Sequence, residues 1–137
     1  MKGNDHNVKL KIRKSQIVVK ITDIEIDSIM SKALMKNAIG HWCNAIVPID
    51  KSFHPECSKY IAADKKLRFM FRHNLDENPS AILTKEKFIE GLDIWLNEDA
   101  EEVIYKYGTL SHMRIDCQAA DKIIQYALFD EIRYERK

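Results

Sequence analysis

The sequence predicts a small α+β domain: a small antiparallel sheet with about three helices packed mainly on one face. Two observations carry this. Residues 8–12 alternate apolar and basic side chains with period two, as half-buried strands do, and Leu67, Phe69 and Phe71 alternate with Arg68, Met70 and Arg72. Three further segments repeat apolar residues at helical spacing, each behind a capping residue, at Thr22, Thr84 and Asp116.

Val8, Leu10 and Ile12 alternate with Lys9, Lys11 and Arg13, which predicts a strand with one strongly basic face. Residues 16–21, QIVVKI, are β-branched and form its partner; RKSQ between them is the turn, without the Asn-Gly or Asp-Gly of a tight hairpin. Thr22 and Glu25 have capping-box spacing, and Ile26, Ile29, Met30, Ala33 and Leu34 continue the helix until about residues 37–40. Pro48 and Pro55 punctuate a loop that holds a short strand near 45–49. Leu67, Phe69 and Phe71 then alternate with Arg68, Met70 and Arg72. Residues 73–79 read as a turn and 81–83 as the returning strand.

Behind Thr84, the residues Phe88, Leu92, Trp95 and Leu96 share one helical face. The acidic run 98–102 reads as solvated, and 103–107 as a strand or a helical end. Asp116 opens the last helix, with Ala120, Ile123, Ile124, Ala127 and Leu128 inward, and Ile132 and Tyr134 suggest a short closing strand. Trp42, Trp95 and Tyr126 sit on or beside apolar stripes and are expected to be buried. The whole chain, 1–137, reads as one domain, with 1–21 an N-terminal strand extension to a core at 22–134.

Composition narrows the function classes. Lysine plus arginine is 22 and aspartate plus glutamate is 21, so the overall charge predicts neither a general nucleic-acid binder nor a membrane-surface protein. Apolar runs are too short for a membrane span, and the polar start predicts no signal peptide. Cys43, Cys57 and Cys117 lack a disulfide framework and read as reduced thiols of a cytoplasmic protein.

His41, Cys43, His54 and Cys57 are all metal-ligating residue types. One intervening residue between His41 and Cys43 seldom aims both at one ion, so no metal site is expected, and no cofactor either. Catalysis by His41 with Cys43 is the least favoured function, because residues two apart on a helix point in nearly opposite directions. No Gly-x-Ser-x-Gly or Gly-rich phosphate loop is present. The arginines are more informative. Arg68 and Arg72 share one side of a strand, and were the strand of Lys9, Lys11 and Arg13 its neighbour, a cationic sheet face would result. Arginine grips phosphate bidentately, while Tyr60, Phe69 and further aromatics could stack on a base. Arg114 precedes a helix start that could help hold an anion, though Asp116 is expected to cap that start itself.

Three stretches, NAIGHWCN, LTKEKFIEGLDIWL and IDCQAADKIIQYALFDEI, resemble an uncharacterised family of small proteins of Gram-positive bacteria, their prophages and mobile elements. Ile39, Trp42 and Cys43 match its first block; Leu83, Thr84, Glu86, Lys87, Phe88 and Gly91 its second; and Ile115, Asp116, Ala120, Asp121, Ile123, Gln125, Tyr126, Ala127, Leu128, Phe129 and Glu131 its third. The chain departs from that pattern in carrying Asn37 and Ala38 for two glycines, His41 for a tyrosine and Asp130 for a glycine. The resemblance implies a setting of phage–host conflict or of the life of a mobile element, and no particular activity. The expectation is a counter-defence or regulatory protein, with homo-oligomerisation possible, that sequesters a nucleotide-type ligand through Arg68, Arg72, Arg114, Tyr60 and Phe69. The alternative is an inhibitor that binds a host defence protein or protein–nucleic-acid complex through a sheet edge or charged face.

Overall fold

The computed structural model describes residues 7–53, 55–72 and 78–135. It is a small α+β fold of two antiparallel sheets and three main helices. β1 (Val8–Ile12) and β2 (Ile17–Ile21) form a hairpin whose ladder runs from Val8↔Ile21 to Ile12↔Ile17. Its four-residue turn closes with Gln16 in the left-handed region at φ 64°, where the Gln16 N–H donates to Ile12 O at 2.8 Å. α1 (Asp23–Ala33) begins with the expected capping box: Thr22 Oγ1 accepts from the Glu25 N–H, and Glu25 Oε1 accepts from the Thr22 N–H.

The second sheet has the order β3 (Cys43–Pro48), β4 (Leu67–Phe71), β5 (Ser80–Leu83). α2 (Lys85–Glu98) follows behind its Thr84 cap, then the single-turn α3 (Glu102–Tyr105) and α4 (Cys117–Phe129). Segment 103–107 thus starts as a helical end. The turn expected at 73–79 lies mostly outside the described residues.

One core joins these pieces. Ile12, Val19 and Ile21 from the hairpin meet Ile26, Ile29 and Met30 of α1, and Leu67, Phe69 and Leu83 close it from the three-stranded sheet. α2 and α4 supply the rest, and they cross closely at Gly91. A Cβ built there would stand 2.5 Å from the Ala127 backbone nitrogen and 2.6 Å from its Cα. Only a glycine lets the two helix backbones approach this far. Trp42 and Trp95 are buried as expected, whereas Tyr126 is half-buried and donates its hydroxyl to Asp99 Oδ2 at 2.6 Å.

One condition is not met and one expectation needs correction. The hairpin and the three-stranded sheet are separate, so β1 and β4 are not neighbours and the bases of 9–13 do not join Arg68 and Arg72 in one face. Ile132 and Tyr134 form no strand. Instead a single side chain does a strand's pairing: Gln125 Oε1 accepts from the Arg133 and Tyr134 N–H groups, at 2.9 and 2.7 Å, and its Nε2 donates to Tyr134 O at 2.9 Å. Among the described residues, no helix is long and apolar enough to cross a membrane.

Candidate functional site

β4 sorts its residues by alternation. Leu67 and Phe69 face the core, while Arg68 and Met70 face outward. Residues directly opposite in a ladder share a face, so the register defines the outer surface. One row is Val47–Arg68–Ile82 and the next is Ala45–Met70–Ser80. Val47 is 42% exposed, and Ile49, beyond the end of β3, is 38% exposed. Lys66 and Arg72 extend the outward line of β4 at either end. The surface is thus a cationic line, Lys66, Arg68 and Arg72, flanked by Val47, Ile49, Met70 and Ile82.

These arginines have no carboxylate partner among the described residues. Arg68 Nη1 donates to Ser80 Oγ at 3.1 Å, and Arg72 Nε donates to Gly40 O at 2.6 Å. Their positions are about 13 Å apart by strand rise, so they suit two anionic groups rather than one.

The remaining residues expected at a ligand site are dispersed. Phe69 is wholly buried, with its ring stacked on Trp42 at 6.3 Å. Tyr60 is 3% exposed, packs edge-on against Phe53 and donates its hydroxyl to Phe53 O. Neither ring offers a free face for a base. Alternation explains Phe69, because the apolar side of a half-buried strand points inward by construction. Arg114 lies on the turn His112–Arg114, which Lys32 of α1 fastens by donating to His112 O and Ile115 O. Asp116 accepts from the Ala119 N–H, so it caps α4 itself.

Among the described residues, His41, Cys43 and Cys57 join no metal-ligand cluster. Cys43 is buried and donates its thiol to Ala45 O, and burial pushes that thiol up to about 11, leaving it protonated at neutral pH. Cys57 lies on the turn Cys57–Lys59, and His54 is outside the described residues. Among the described residues, no three His, Cys, Asp or Glu side chains gather as metal ligands would.

His41 has a different partner, one that the sequence pattern did not point to. Its Nε2 lies 2.7 Å from Asp121 Oδ2, while Asp121 Oδ1 accepts from Trp42 Nε1 at 2.7 Å and from Gln125 Nε2 at 3.1 Å. Asp121 is 3% exposed and Gln125 1%. Through Gln125 this network also holds residues 133 and 134, and Tyr134 stacks on Trp42 at 5.9 Å. A signal was present: Asp121 and Gln125 are polar residues one turn apart inside the apolar stripe of Ala120, Ile123, Ile124 and Ala127. A buried polar pair requires partners. A polar cleft of about 740 Å³ lies alongside, lined by Gln118, Asp121, Lys122 and Tyr126 of α4 and by Tyr134 and Glu135. Three of the four acceptor positions of Asp121 are filled from within the fold.

No protein-family model, curated protein or solved structure matches this chain.

Proposed function

We propose that the protein is an interaction module that binds an acidic, aliphatic surface of a partner protein on the outer face of β3–β4–β5, and so acts as an inhibitor. The observation that carries this reading is the pair Arg68 and Arg72: charged, without carboxylate partners among the described residues, and framed by Val47, Ile49, Met70 and Ile82. Arginine and methionine are enriched at protein–protein contacts, and aliphatic neighbours exclude water from the charge pairs. The alternative, capture of a nucleotide-type ligand, has less support because Tyr60 and Phe69 are buried and the outward positions of the sheet carry no aromatic ring. The resemblance to proteins of prophages and mobile elements supplies the setting, in which the partner is a host defence protein.

A displayed random-peptide library selected on the wild type and on Arg68→Glu/Arg72→Glu tests this. Enriched peptides should combine acidic with aliphatic or aromatic residues and should lose at least tenfold in affinity on the variant. Peptides indifferent to the charge reversal overturn the reading. Calorimetric titration of cyclic dinucleotides and ADP-ribose-type signals is the counter-test: micromolar binding lost in Arg68→Ala restores the nucleotide reading in its place.

A further inference from the structure

A second concavity, of about 680 Å³, lies among the start of β1, the start of α1, the turn near Ala62–Asp64 and the first half of α2. Its apolar lining includes Val8, Ala62 and Ile89, and carboxylates of Asp64, Glu86 and Glu90 also line it. One cation is present, but Lys85 is already engaged: its Nζ lies 3.4 Å from Asp23 Oδ1 and donates to Ala62 O at 3.2 Å, and its side chain is only 18% exposed. Asp64, Glu86 and Glu90 have no cationic partner among the described residues. Glu86 and Glu90 stand one helical turn apart, with Ile89 beside them, so acid and aliphatic surface occupy the same side of α2.

The helix starts at this groove do not call for an anion. Thr22 and Glu25 cap α1, and Thr84 Oγ1 accepts from the Lys87 N–H at the start of α2. What remains is a groove lined by apolar surface and by three acidic residues without a cationic partner among the described residues, within the size range of small-ligand sites. Lysine and arginine side chains match it, because their aliphatic stems pack on apolar surface while the charged head reaches a polar rim.

We infer that this groove binds a lysine or arginine side chain of a partner protein segment. The stem lies on Val8, Ala62 and Ile89, and the head meets Asp64, Glu86 and Glu90. The charge is opposite to that of the outer sheet face, so the groove selects a different kind of segment and stands independently of the function proposed above.

The test is an NMR titration of the full chain with an acetylated, amidated Leu-Arg-Lys-Leu peptide and with its neutral counterpart carrying two norleucines. The basic peptide should shift the amides of Val8, Ala62 and Ile89 saturably. Binding should weaken at least tenfold in Glu86→Gln/Glu90→Gln, both exposed positions, and should fall as salt shortens the Debye length from about 10 Å at 0.1 M to about 3 Å at 1 M. Equal binding of the neutral peptide, shifts scattered over the surface, or an unchanged affinity in a variant with a wild-type melting curve overturns the inference. Outer-face variants at Arg68 and Arg72 should leave this titration unaltered, which separates its failure from that of the sheet-face proposal.

Discussion

Asp121 and Arg68 are both charged residues set among apolar neighbours, and the fold treats them in opposite ways. Asp121 is buried, and its carboxylate accepts from His41, Trp42 and Gln125. Arg68 stands on an open sheet face, where one of its nitrogens donates to the Ser80 hydroxyl. The first charge is met by three of the protein's own side chains; the second keeps most of its capacity for something outside. A polar residue's place in function is therefore better read from how its hydrogen-bonding capacity is filled than from its type.

The largest expected effect breaks the Asp121 side. Asp121→Ala leaves Trp42 Nε1 and the Gln125 amide without their buried acceptor, each loss costing about 1–3 kcal/mol. Chemical denaturation should show a loss of about 3 kcal/mol or more, with a shifted Trp42 emission. A variant as stable as wild type would mean that the network is dispensable. Gly91→Ala comes next. Helix propensity alone favours alanine by about 1 kcal/mol, but its Cβ would enter the Ala127 backbone. Overpacking costs about 1–3 kcal/mol and more against rigid backbone, so the midpoint should fall. A rise would show that α2 and α4 can separate without cost.

Smaller changes sharpen the comparison. Asp130 ends α4 in the left-handed region at φ 62°. Asp130→Gly should stabilise by about 1 kcal/mol, read as a higher melting temperature, because the left-handed cost of a side chain is removed. Asp27 is an intermediate case: its Oδ1 is buried without a hydrogen-bond partner among the described residues, and burial raises its pKa despite Lys59 nearby. A raised folded-state pKa means stability that is present below the unfolded value of about 3.9 and is lost as pH rises through the folded one. Asp27→Asn should therefore raise the melting temperature at neutral pH, with the gain shrinking as pH falls through the carboxylate range. A gain independent of pH would assign it to packing.

Local chemistry was legible in the sequence and distant pairing was not. Thr22, Thr84 and Asp116 could be read as caps because a cap acts within three residues of itself. The outward placement of Arg68 followed from alternation. The same alternation, taken to its end, buries Phe69, so that residue could not serve both the core and a stacking face. Which strands are neighbours is set by contacts far apart in the chain, and nothing local separated β1 from β4. The C-terminal segment misled for a physical reason: Ile132 and Tyr134 alternate as a strand does, yet their pairing groups belong to the Gln125 side chain.

What sets Arg68 and Arg72 apart from Asp121 is that the fold does not use their charges. Equilibrium denaturation of Arg68→Gln/Arg72→Gln tests it directly, because glutamine removes the charge while keeping a polar side chain. The folding free energy should stay within about 0.5 kcal/mol of wild type, as for surface positions without a structural role. A loss of about 2 kcal/mol or more would contradict it and make the two arginines part of the structure, as Asp121 is.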